Sequence, residues 1–83
     1  MLKQAAVIAR LKTAGKGVRG FQEEAVKLTT PLQDENYTGM DSMARVEYVL
    51  AIEEEFKVRI LDEDFEKMKT FKEVIDYLVK NGK

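Results

Sequence analysis

Apolar positions take helical spacing in four parts of the chain. Over residues 2–14, Val7, Leu11 and Ala14 recur at i, i+4 and i+7, with Ile8 beside them and Val18 continuing the row, which predicts an amphipathic helix. Glycines at 15, 17 and 20 end it near Ala14, since each costs about 1 kcal/mol in a helix interior. Residues 42–56 carry the strongest pattern: Met43, Val46, Val49, Leu50, Ile52 and Phe56 at a 3.6-residue period. Either Asp41 or Ser42 offers a side-chain oxygen to cap that helix. After a short extended stretch, Lys57 to Leu61, residues 62–68 predict a brief helix opened by acids that suit the positive end of its dipole. Thr70-Phe71-Lys72-Glu73 has the form of a capping box. Residues 70–81 then turn Phe71, Val74, Ile75, Leu78 and Val79 inward and close at Asn81-Gly82. Residues 15–41 read as a long connection with room for one helical turn through Phe21–Leu28. Thr30-Pro31 disfavours helix at Thr30, and Gly39 marks a turn.

These elements predict an all-α fold, a small bundle of three main helices plus one short helix, in a single domain over residues 1–83. Composition sharpens the picture. Eighty-three residues support one domain and not two. An apolar share of 45% with a single proline excludes collagen and low-complexity chains. The longest apolar runs, Ala5–Ala9 and Tyr48–Ile52, are far too short to cross a bilayer. No secretory pattern opens the chain, and the absence of cysteine suits the reducing cytoplasm. The absence of histidine removes the commonest general base and the commonest metal ligand. Triads and most zinc sites are therefore excluded, and any catalysis would rest on carboxylates, lysines or hydroxyls. So small a chain implies no cleft for it, so no enzyme and no metal site are expected.

The net charge of −1 hides a segregation. Residues 1–22 hold five cations and no acid, residues 34–66 hold eleven acids against Arg45, Lys57 and Arg59, and residues 67–83 return to an excess of lysine. An acidic middle suits a partner with a basic docking patch. It equally suits solvated helix faces that attract one another within the domain. Phe21 is the only aromatic in the basic segment and no groove-reading motif accompanies it, so no nucleic-acid partner is expected. Gly15-Lys16-Gly17 lacks the spacing of a phosphate loop. Asp34-Glu35-Asn36 and Asp62-Glu63-Asp64 lack that of a calcium loop.

The candidate chemistry lies at Gly39-Met40-Asp41-Ser42-Met43. A serine at the start of a strong helix, after a glycine turn, has an exposed hydroxyl beside free amides that favour negative charge. Alone, Asp41-Ser42 describes an ordinary cap. With Val46-Glu47, Ile52-Glu53-Glu54-Glu55-Phe56, Ile60, Asp62-Glu63, Lys67-Met68, Thr70 and Ile75-Asp76-Tyr77-Leu78 following at fixed spacing, the stretch from Gly39 to Lys83 resembles the acyl carrier proteins.

The resemblance implies a set of roles. Ser42, with Asp41 in its motif, would receive a 4′-phosphopantetheine arm from coenzyme A through a phosphopantetheinyl transferase. The arm would supply the thiol this chain lacks and carry acyl groups as thioesters between acyl-loading and acyl-processing enzymes. Glu47, Glu53, Glu54, Met43 and Asp64 would dock basic patches on those enzymes. A short acyl chain would occupy a cavity lined by Val46, Leu50, Ile60, Phe65, Met68 and Ile75, residues that an ordinary core also needs, with Phe65 shortening or closing it. Met43 stands where leucine is usual and resembles the D-alanyl carrier proteins, which load an amino acid. Ala44 and Arg45 replace residues that are often acidic or polar, and Leu61 replaces a frequent proline. The connection ahead of Ser42 is longer than usual. Together these departures imply a specialised carrier with its own partners, expected to serve a fatty-acyl or polyketide-type pathway and to be a monomer. An amino-acid carrier, or a carrier-like interaction module that is never modified, are the other readings.

Overall fold

A computed structural model describes all 83 residues. Five helices follow one another: α1 (Gln4–Ala14), α2 (Glu35–Thr38), α3 (Ser42–Phe56), α4 (Asp62–Lys67) and α5 (Phe71–Asn81). There is no strand, only an isolated antiparallel bridge between Pro31 and Thr70. No helix is long and apolar enough to cross a membrane. Helices α1, α3 and α5 pack on one another through Val7, Leu11, Ile52, Phe56, Ile75 and Leu78, all fully buried. Each such side chain stabilises the fold by about 1.5–3 kcal/mol.

Arg10 ties α1 to the end of α3. Its Nε donates to Glu55 Oε2 at 2.8 Å, and its Nη2 donates to the Glu55 and Lys83 carbonyls, each at 2.7 Å. The guanidinium also lies 4.3 Å from the centre of the Phe56 ring, a cation–π contact. The other ion pair, Lys72 to Asp76, is exposed and one turn apart on α5. With only these two ion pairs formed, most of the segregated charge lies on solvated faces.

Helix α3 departs from its sequence pattern in an instructive way. Ala44, Tyr48, Val49, Ile52 and Phe56 face the core, whereas Met43, Val46 and Leu50 are 72%, 50% and 58% exposed. The apolar series is therefore two faces, one inward and one outward. Tyr48 completes the inner face, although the apolar period does not include it. Its ring is fully buried, with ring centres 5.0 Å from Phe21 and 6.3 Å from Phe71, and its hydroxyl donates to the Leu11 carbonyl at 2.9 Å.

Burial raises the Tyr48 phenol above its ordinary pKa. The native state thus holds a proton that the unfolded chain releases near pH 10. Its contribution is intact below that pH and declines as pH rises, by about 1.4 kcal/mol per unit. The urea midpoint should fall above pH 10 in the native protein. In Tyr48→Phe, which costs about 1 kcal/mol at neutral pH, that decline should be absent. An unchanged alkaline decline in the variant would assign it to other groups.

The connection between α1 and α3 is ordered structure and not slack. Val18, Val26, Leu32 and Met40 all enter the core. A 3₁₀ turn at Glu23–Ala25 fills the place left for a helical turn. Helix α2 falls where the sequence pattern shows only connection. It starts on Asp34, whose Oδ1 accepts from the Asn36 amide at 2.9 Å, and stops at Gly39. One turn is too short to show a period. The same segment satisfies the ends of its neighbours. The Thr30 and Leu28 carbonyls accept from the Phe71 and Lys72 amides, both at 3.1 Å, in the first turn of α5. Glu73 accepts from the Thr70 amide at 3.3 Å, its part in the capping box. Gln33 Nε2 donates to the Phe65 and Met68 carbonyls at 2.8 and 3.2 Å, closing the end of α4.

Two glycines draw this connection against the turn before α3. Gly20 and Gly39 have φ of 80° and 79°, in the left-handed region. A Cβ on either would fall within 2.2 Å of the other's carbonyl oxygen. The close approach is sealed by the Gln22 amide, which donates to the Thr38 carbonyl at 3.0 Å.

Candidate functional site

Ser42 follows directly from that clasp. Thr38 is buried and its Oγ1 accepts from the Met40 amide at 3.1 Å, while the Met40 side chain is fully buried. The backbone entering α3 is thereby fixed on its inner side. Asp41, not Ser42, caps the helix. Its Oδ1 accepts from the Ala44 amide at 2.8 Å and its carbonyl accepts from the Arg45 amide at 3.0 Å. Ser42, the first residue of α3, is exposed and its hydroxyl is not needed by the cap. The Ser42 and Met43 amides make no backbone bond, as the first donors of a helix must.

Beside Ser42 a cleft of about 190 Å³ opens between α3 and α4, lined by Gln33, Ser42, Arg45, Val46, Val49, Asp62, Phe65 and Glu66. It is smaller than the roughly 300–1,000 Å³ of drug-sized ligand pockets, so it suits a short group. The cavity expected from the sequence is redistributed. Val46 and Phe65 line this cleft. Leu50 faces solvent, Ile75 is fully buried in the core, and Met68 is half-buried at the end of α4. Ile60 borders a separate groove with Glu53, Val58 and Leu61. The sequence period could not assign these residues to a shared face, because α3 has apolar residues on two.

The expected docking residues also divide. Glu47, Glu54 and Met43 are exposed on α3, and Asp64 is exposed on α4. Glu53 has another task, since its carboxylate accepts from the Ile60 amide at 2.8 Å and holds the extended stretch after α3. Leu50, expected in the cavity, and Val46, which also lines the cleft, extend Met43 into an outward apolar stripe flanked by Glu47 and Glu54. Their i, i+3, i+7 spacing, with Glu47 between Val46 and Leu50 and Glu54 one turn beyond, was the available signal.

Arg45 completes the site. It is half-buried in the cleft, its Nη1 donates to the Met40 carbonyl at 3.1 Å, and it belongs to neither ion pair. An exposed primary alcohol, two free amides at a helix N-terminus and an unpaired guanidinium one turn away fit a phosphate ester at Ser42.

Comparison with known proteins identifies the family. Residues 9–78 match the family described as the phosphopantetheine attachment site. An acyl carrier protein of Bdellovibrio bacteriovorus is 45% identical over 64 residues, covering 77% of this chain and 80% of its own. One from Chlorobium phaeobacteroides is 39% identical over 61 residues, 74% of this chain and 76% of its own. One from Syntrophobacter fumaroxidans is 54% identical over 43 residues, about half of each chain. The chain therefore belongs to the acyl carrier protein family: a non-catalytic carrier of acyl groups that bears a covalent 4′-phosphopantetheine and works with a phosphopantetheinyl transferase and acyl-processing enzymes.

Proposed function

We propose that Ser42 carries the arm, in a specialised fatty-acyl or polyketide-type pathway of the cytoplasm. One observation carries the assignment: Asp41 takes the helix cap and leaves the Ser42 hydroxyl exposed beside unpartnered amides. On loading, a bond forms between Ser42 Oγ and the pantetheine phosphorus of coenzyme A while the pyrophosphate bond to its nucleotide breaks. The hydroxyl proton passes to a base of the transferase, and the nucleotide leaves with the remaining phosphate. Once attached, the arm supplies a thiol that holds acyl groups as thioesters. This chain's own residues present the arm and are recognised by each enzyme in turn, which raises the effective concentration of the cargo there.

The recognition surface is the outer face of α3, with Met43, Val46 and Leu50 at its centre and Glu47 and Glu54 at its edge, joined by Asp64 on α4. Its acidic edge suits basic patches on the partners, and weak edge pairs of about 0–1 kcal/mol suit a monomeric shuttle that must leave quickly. The specialised reading is supported by Arg45, a positive charge one turn into an otherwise acidic helix.

Intact-protein mass after incubation with coenzyme A and a broad-specificity phosphopantetheinyl transferase tests the assignment. The native chain should gain one phosphopantetheine and Ser42→Ala none. No gain on the native chain would favour an unmodified interaction module.

A further inference from the structure

We propose that Arg45 holds the phosphodiester of the arm, so that the arm leaves Ser42 along the cleft between α3 and α4 instead of projecting freely into solvent. The inference rests on the carrier reading of Ser42. The two residues are i and i+3 on one helix, where Cβ atoms lie about 5–6 Å apart, and both line the same cleft. A phosphodiester carries one negative charge on two unbridged oxygens, a geometry that the guanidinium fork matches with two parallel hydrogen bonds.

Arg45 is prepared for this ligand. Its Nη1 is anchored on the Met40 carbonyl, which fixes the side chain, and no carboxylate lies within ion-pair distance to neutralise it. Half-burial at the cleft wall strengthens its attraction relative to a fully solvated lysine. The Ser42 and Met43 amides add donors from the same side. The other charges of the cleft, Asp62 and Glu66, come from α4 and repel a phosphate. Attraction from α3 and repulsion from α4 thus fix the phosphate against α3, beside the apolar surface of Val46 and Val49.

The test uses native, Arg45→Gln and Arg45→Lys chains loaded by one transferase, with loading confirmed by intact mass. In the native chain, the Arg45 Nε–H signal should shift between the unloaded and loaded forms. The phosphorus-31 resonance of the loaded native chain should differ from that of the same chain in denaturant. In Arg45→Gln it should move to the denatured position, and in Arg45→Lys it should fall between. An Nε–H signal indifferent to loading, a readout that needs no variant to fold, would overturn the proposal. So would a fully loaded Arg45→Gln chain with the native phosphorus resonance. Failure of the native chain to load overturns the carrier reading itself, and is distinguished by mass.

Discussion

Replacing Gly39 by alanine should cost at least about 3 kcal/mol and lower the melting temperature by roughly 12–24 °C. A left-handed φ costs a residue with a Cβ roughly 1–2 kcal/mol, and Gly39 has φ 79°. The larger effect is steric: the new Cβ would lie 1.9 Å from the Gly20 carbonyl oxygen. That oxygen belongs to backbone and cannot swing aside like a side-chain tip. The two segments must separate, and the Gln22–Thr38 backbone bond of 3.0 Å is lost with them, at about 1 kcal/mol. Domains of this size have a total stability of about 4–12 kcal/mol, and each kcal/mol moves the melting temperature by about 4–8 °C. Gly20→Ala should behave alike, because its Cβ would meet the Gly39 carbonyl oxygen at 2.2 Å. Gly17→Ala is the control: a Cβ there meets nothing within 4 Å, and its φ is not in the left-handed region. It should be neutral or slightly stabilising. Thermal melts followed by far-ultraviolet circular dichroism decide the matter, and a Gly39→Ala melt within a few degrees of native would refute the stacked-glycine account. The same variant should also load more slowly at Ser42, since the clasp fixes the turn that presents it.

The glycine clasp also shows where sequence reading stops. Helix α5 is legible because all its strongly apolar positions serve one core face and its capping box is local. In α3 the fault lay in the sorting of its residues: Met43, Val46 and Leu50 share the apolar period yet face outward, whereas Tyr48 and Ala44 face inward. A tyrosine becomes core only if a distant acceptor meets its hydroxyl, and that acceptor, the Leu11 carbonyl, lies 37 residues away in sequence. Connection residues stabilise the fold through the same kind of long-range pairing. Gln33 closing α4, and Thr30 and Leu28 accepting from α5, leave no periodic trace.

The site divides along the same line. Asp41-Ser42 was legible through its local cap chemistry and through the spacing of the acidic helix behind it. The identity of the capping residue needed coordinates, since either oxygen could reach an amide. Glu53 shows the converse. In a run of three glutamates nothing local marks it as the one that turns back to the Ile60 amide, or Glu55 as the one that meets Arg10. Of the cleft walls only Val46 and Phe65 were expected from the sequence, because Gln33, Arg45, Asp62 and Glu66 come from three separate elements.

The outward stripe of α3 yields the second large expectation, that apolar contacts outweigh charges in recognition by partner enzymes. Leu50→Ala should reduce the catalytic efficiency of the phosphopantetheinyl transferase, and of an acyl-processing partner, by about 30-fold. At about 0.8 kcal/mol per buried CH₂, truncating leucine at the centre of an interface removes roughly 2 kcal/mol. Leu50 is 58% exposed and has no place in the core, so the fold should lose less than about 0.5 kcal/mol. Glu54→Gln at the edge removes one exposed charge pair, about 0–1 kcal/mol, and should cost no more than about fivefold. Salt separates the two mechanisms. At 1 M the screening length shrinks to about 3 Å, so the Glu54 effect should vanish while the Leu50 effect persists. A Glu54→Gln loss that exceeds the Leu50→Ala loss at physiological salt would reverse this order, and would make the acidic edge the principal determinant of docking.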